Sequence, residues 1–376
     1  MTNPSHAYRI APIDGLRGFA ALGVVWVHAW NFSGNPALSV GKIEGFQLDL
    51  HRALAIWGQG LDMFFVISGF CMYLMYARKQ TQFSWGAYWE FLKNRWVRIA
   101  PAFYTSMLVC ALGITYAKHW FPWPDVLAHL TFLHIIIPQT NGLASPFWSL
   151  ATEWHFYLLL PLILWAGLRY GFWRTAFAFM TASLLYRLWF FGAWPNADLA
   201  LRGQIPVRLI EFYWGLCVAR FYTEKRAPPR WLAGAGGVLL SFGIAYVGRV
   251  LMLTEAMRGV GRLGFVMRAF SEPVLSFGFA LLLWSVMTTP SIFQNILSHW
   301  TLQTLGRWSY SFYLWHWWPC MWLAFYFKGR WGAGLAAQYA AYLLCVAFLL
   351  PVAWLSYKLL EEPYFRWRTK RQPIIP

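Results

Sequence analysis

In the stretch DGLRGFAALGVVWVH, residues 14–28, Arg17 and His28 are separated by ten residues, none of them ionisable. If the stretch is a helix, eleven steps of about 100° return both side chains to nearly the same face, about 16 Å apart along the axis. Ionisable groups inside a membrane span are costly, so by default they face a protein interior or a watery cavity and mark function. A guanidinium binds anions, and an imidazole serves as general base or nucleophile. The competing reading is structural, with a snorkelling arginine at a helix mouth and a core histidine bonded to a neighbour.

Other residues have chemistry at suggestive spacings. Asp62, Ser68 and Gly69 lie in GLDMFFVISGF, which also reads as a helix-packing motif with Asp62 capping the helix start. Arg95 and Arg98 in FLKNRWVRIAP are three apart, hence on one helical face, and suit phosphate. Ordinary anchoring to anionic lipid accounts for them equally simply. In SPFWSLATEWHFYLLLP, Glu153 is a candidate base, a partner that orients a histidine, or a member of an ion pair. Arg187, Glu211 and Glu272 are further charges within apolar runs, and Arg187 with Glu211 suggests mutual neutralisation. Near the end, LGRWSYSFYLWHWWP holds Arg307, Ser309, Tyr310, Tyr313 and His316. Tyrosine and tryptophan are expected anchors at membrane interfaces, but His316 is not.

These residues need long apolar elements to hold them. The chain is 59% hydrophobic and only 12% charged, about half the charged share of a soluble domain, so it is an integral membrane protein. No polar block is long enough for a soluble domain, so one membrane domain over residues 1–376 is expected, without a cleavable signal peptide. The fold class expected is all-α, a polytopic membrane helix bundle. Ten spans are expected, at 13–32, 57–77, 97–117, 147–168, 175–191, 205–222, 231–250, 273–289, 308–327 and 335–357. The run 126–138 is too short to cross and reads as a re-entrant or interfacial segment. Basic clusters at Arg78, Lys79, Lys93, Arg95 and Arg98, at Arg220, Lys225, Arg226 and Arg230, and after residue 357 place both termini in the cytoplasm. Arg249, Arg258, Arg262 and Arg268 then fall in an outside loop. The net charge of +17 sits mostly at span ends, which argues against a nucleic-acid partner. Five cysteines in separate apolar runs fit neither a metal site nor a disulfide framework.

Taken in order, the motifs resemble the acyltransferase-3 family of integral membrane O-acyltransferases, which modify bacterial lipopolysaccharide, exopolysaccharide, Nod factors and some macrolides. The resemblance rests on Arg17 with His28, on residues 62–70, and on Arg95-Trp96-Val97-Arg98-Ile99-Ala100-Pro101. It continues in Trp148-Ser149-Leu150 with Glu153, Phe156 and Tyr157, in Ser309-Tyr310-Ser311 with Tyr313, Leu314 and His316, and in Glu361-Glu362-Pro363. Many relatives append an SGNH-type esterase domain. The sequence given ends at Pro376 without one, so a transfer that needs no second domain in the same chain is expected.

The resemblance implies acyl transfer from cytoplasmic acyl-CoA, most simply acetyl-CoA, to an extracytoplasmic glycan or glycolipid hydroxyl in the bacterial inner membrane. No permanently bound cofactor or metal is expected. Arg95, Arg98, Arg17 and Ser68 would hold the donor. His28, just past the middle of the hydrocarbon core, would act as base or acyl carrier, with Arg17 and Glu153 assisting. Asp62, Trp148, Tyr157, Tyr313 and His316 would meet the acceptor. A proton-coupled transporter or flippase is the competing class, because the same in-membrane residue types serve transport. Against it stands the lack of a detectable repeat between the halves.

Overall fold

The computed structural model describes residues 10–43, 46–76, 84–137, 139–194, 197, 201–258 and 264–371. Arg78, Lys79, Pro138 and Arg262, named above, lie outside the described residues. The helices in chain order are α1 (Ala11–Phe32), α2 (Leu50–Leu54), α3 (Gly60–Tyr76), α4 (Trp85–Lys118) and α5 (Trp123–Leu130). They continue as α6 (Trp148–Tyr170), α7 (Phe172–Ala193), α8 (Ile205–Thr223), α9 (Gly234–Arg258) and α10 (Gly264–Thr288). The last are α11 (Ile292–Leu297), α12 (Trp300–Trp315), α13 (Trp317–Trp331), α14 (Leu335–Ser356) and α15 (Glu362–Arg371). A short antiparallel hairpin follows α1, with β1 (Ser39–Ile43) paired to β2 (Phe46–Asp49) and Ile43 opposite Phe46.

Among the described residues six helical stretches are long and apolar enough to cross a bilayer: Trp57–Met75, Trp85–Lys118, Ser145–Tyr170, Phe172–Ala193, Gly264–Thr288 and Leu335–Trp367. The other four expected spans also fall on helices, namely α1, α8, α9 and the pair α12–α13. Polar residues such as Arg17 and His28 in α1, or Arg208 and Glu211 in α8, lower their mean hydropathy. The run 126–138 holds the end of the eight-residue α5 and then turns. At 1.5 Å per residue α5 reaches only about 12 Å, so it does not cross.

Three expectations change. The basic Lys93–Arg98 stretch is not a loop before a span, because α4 starts at Trp85, where Ser84 Oγ caps it by accepting from the Ala87 amide. Arg249, Arg258 and Arg268 sit in α9 and α10 rather than in a loop. Their charges end an apolar window but not a helix, since arginine is a good helix former. The span expected at 308–327 is two helices, broken at His316. Pro319 accounts for the break: it has no N–H for the carbonyl of residue 315, and it sits in the first turn of the new helix, where no such bond is needed.

The chain forms two compact units. The first comprises Met1–Leu61, Trp96–Val109 and Ile296–Pro376. In it α1 packs on α12, α13 and α14. A Cβ at Gly18 would lie 2.4 Å from the Leu302 carbonyl oxygen, and one at Gly306 would lie 1.8 Å from that of Asp14. The α1–α12 crossing is therefore backbone against backbone, which only glycine permits. The second unit comprises Asp62–Arg95 and Cys110–Asn295, with α8 packed against α6, α7 and α10.

Candidate functional site

In the first unit, Arg17 and His28 are both half-buried, while their neighbours Leu16, Gly18, Val27 and Ala29 on α1 are buried. This pattern leaves the two side chains on the accessible part of an otherwise packed helix. The His28 ring lies 5.2 Å from His316, 5.0 Å from Trp317 at a near right angle, and 6.0 Å from Phe32, centre to centre. His316 is fully buried at the α12–α13 break, and its Nδ1 bonds the Tyr313 carbonyl. The Tyr313 ring lies 5.2 Å from His316. Two imidazoles and a tyrosine thus meet where one helix is interrupted, a place where broken helices often bind substrates.

Around Arg17 the unit assembles a second group. Residues Tyr357–Glu361 form a π-helical turn between α14 and α15. In an α-helix, residues five apart would point about 140° away from each other. The π-turn instead brings Ser356 and Glu361 to the same side. There the Ser311 hydroxyl donates to Glu361 Oε1 at 2.6 Å and lies 2.9 Å from the Ser356 hydroxyl. The Trp315 indole donates to Ser356 at 3.1 Å. Glu361 is only 2% exposed, and Arg98 and Arg17 both act on it electrostatically. Arg98 also stacks on Phe365 at 5.5 Å. Glu361 entered the sequence reading only within the Glu361-Glu362-Pro363 motif, and no local signal marks a π-turn.

In the second unit, Glu153 Oε1 accepts hydrogen bonds from Ser68, at 2.9 Å, and from Tyr157. Arg95 does not lie at a surface. It is 1% exposed, with its guanidinium over Phe91 and Tyr157 and its Nη2 3.7 Å from Met75 Sδ. Asp62 pairs with Arg208 at 3.3 Å, and Arg208 pairs with Glu211 at 2.9 Å. Arg208 also lies 3.7 Å from Glu272 and stacks on Trp148 at 5.1 Å. The partner of Arg187 is Glu272 rather than Glu211. Arg187 also donates to the carbonyls of Ala269, Val207 and Arg268 at 2.6, 2.7 and 3.0 Å. Ala269 is four residues before Pro273, which cannot donate to it, so arginine satisfies the carbonyl that proline leaves open. Arg208 was not singled out in the sequence. Its position inside the apolar run of α8 was the available signal.

The bundle of long apolar helices defines an integral membrane protein, and its polar interior gives it chemistry to perform there. The chain belongs to the acyltransferase-3 family, whose profile, described as an acyltransferase domain, matches residues 10–358. It is 24% identical to the acyltransferase MdmB of Streptomyces mycarofaciens, over 99% of this chain and 95% of that protein. It is 23% identical to the O-acetyltransferase OatA of Staphylococcus aureus, over 97% of this chain and 58% of that longer protein. It is 27% identical to nodulation protein 10 of Rhizobium leguminosarum bv. viciae, over 47% of this chain and 49% of that one. No solved structure matches. The protein is therefore an enzyme, an O-acyltransferase of the membrane, and the transporter reading is set aside.

Proposed function

We infer that the enzyme takes an acetyl group from cytoplasmic acetyl-CoA and places it on a hydroxyl of an extracytoplasmic glycan or glycolipid. Its setting is the bacterial inner membrane, with both termini in the cytoplasm. The observation that carries this reading is the vertical division of α1. Arg17 shares a carboxylate neighbour with Arg98 at one level, and His28 faces a second imidazole about 16 Å further along. Arginine suits the donor's phosphates, because its planar fork binds them bidentately. A thioester carbonyl at the end of the pantetheine arm would then reach His28. The basic clusters support placing the arginine end inside, where acyl-CoA is made.

The test uses purified protein in lipid nanodiscs with labelled acetyl-CoA, alongside the acetyl content of surface glycans in cells with and without the gene. CoA release by the protein and a gene-dependent acetyl group on a surface glycan are expected. A protein that neither binds nor cleaves acetyl-CoA would refute the donor, and unchanged glycans would refute the acceptor class.

A further inference from the structure

We propose that His316 is a second catalytic residue: while the His28 imidazole carries the acyl group, His316 Nε2 takes the proton of the incoming acceptor hydroxyl. The proposal rests on the O-acyl transfer reading above and adds a division of labour between two imidazoles.

The tautomer of His316 is fixed by its backbone partner. The Tyr313 carbonyl can only accept, so Nδ1 carries the hydrogen and Nε2 carries a lone pair. That Nε2 is buried and has no hydrogen-bond partner. A buried acceptor left unbonded is a cost to the folded protein, and in a native structure it requires an explanation. His51, another buried histidine of the same unit, shows the contrast. Its Nδ1 lies 2.9 Å from the Pro36 carbonyl and its Nε2 lies 2.9 Å from the Tyr339 hydroxyl. His51 is saturated and structural, whereas His316 keeps one nitrogen available.

The ring that carries the available nitrogen sits beside His28. The His28 and His316 rings are 5.2 Å apart and tilted by 30°. Trp317 and Phe32 confine the His28 ring from two other directions. Among the described residues, neither imidazole has a hydrogen bond or ion pair to a carboxylate, the usual orienting partner of a catalytic histidine. Two neighbouring imidazoles repel each other when both are charged, so the pair does not hold two extra protons at once.

The steps balance. First, one His28 nitrogen attacks the thioester carbonyl carbon, a C–N bond forms and the C–S bond breaks. The thiolate leaves with the electron pair and takes the proton of the other His28 nitrogen, giving an N-acylimidazole and free thiol. Next, the acceptor oxygen attacks the acyl carbon and its proton passes to His316 Nε2. The C–N bond breaks, the pair returns to the His28 ring, and that ring recovers its proton from His316. An ester and two neutral imidazoles remain.

The experiment separates the halves with purified protein, labelled acetyl-CoA and two probe nucleophiles. Hydroxylamine attacks an acylimidazole without a base, whereas glycerol, as a hydroxyl, needs one. His316→Gln should still take up to one acid-labile acetyl group per chain, and His28→Ala should take none. Discharge of the variant to hydroxylamine should match the native protein, while discharge to glycerol slows at least about 100-fold. His316→Asn, which retains a donor for the Tyr313 carbonyl, serves if the glutamine variant does not fold. Equal slowing with both nucleophiles, or unchanged discharge to glycerol, overturns the role. Turnover by the native protein without label on His28 would overturn the division of labour and leave the acyl-transfer reading standing. No CoA release at all would refute that reading and the proposal with it.

Discussion

Two buried polar groups, one in each compact unit, are bonded in opposite ways. In the second unit, Arg187 uses its Nε and both terminal nitrogens on three carbonyls and Glu272. Arg208 reaches three carboxylates and an aromatic face. Of this network's carboxylate oxygens, Glu211 Oε2 is left without a hydrogen bond. In the first unit, by contrast, His316 Nε2 and Arg17 Nε are buried without hydrogen-bond partners. Desolvating a polar group is repaid only when its bonds are made inside the protein. The Arg187–Arg208 network repays it by bonding within itself, which fixes helices in place. The group around His28 and His316 leaves an acceptor nitrogen unbonded beside a second imidazole.

The largest expected effect tests the first unit. His28→Ala should reduce acyl transfer by about 100- to 10,000-fold while protein yield, thermal stability and CoA binding stay near native. Turnover near the native rate in a well-expressed variant would remove His28 from the chemistry. The second effect is the reverse. Arg187→Met should cost about 3–5 kcal/mol of stability, because it takes the nearer of two cations from buried Glu272 and strands the carbonyls that Arg187 satisfies. Thermal unfolding in nanodiscs measures it, and a variant as stable as the native protein would break the comparison.

The smallest effect sharpens the comparison within one helix. Arg98→Lys should weaken CoA binding by about 10- to 150-fold, the loss of one charge-assisted bond of about 1.5–3 kcal/mol. Arg95→Lys should act mainly on stability, because that guanidinium lies packed against Phe91, Tyr157 and Met75. Equal losses of CoA affinity from both substitutions would return the arginines to a single phosphate-binding pair.

The sequence reveals the helices because each apolar run is long, and it reveals Arg17 and His28 because both sit inside one such run. It conceals what depends on remote partners. Arg187 and Glu272 are 85 residues apart, and nothing local favours Glu272 over Glu211. The ends of α9 and α10 are hidden for a related reason. A hydropathy window stops at Arg249 or Arg268, yet the backbone continues helical. The interruption at His316 was closer to legible, since Pro319 three residues later marks the restart of a helix. Arg95 misleads most, because a cation near the end of an apolar run usually faces water, and here an aromatic pocket receives it.

The π-turn at Tyr357–Glu361 sets a rotational phase. It shifts everything after Ser356 around the axis by one residue's worth of arc, so the faces of α14 and of the segment beyond it are chosen independently. The membrane-facing pattern of α14 can change by substitution without moving Glu361 relative to Ser311. A gain or loss of one residue within the turn cannot. Across related chains, substitutions should therefore be tolerated upstream of this turn, while its length stays invariant wherever the carboxylate is kept.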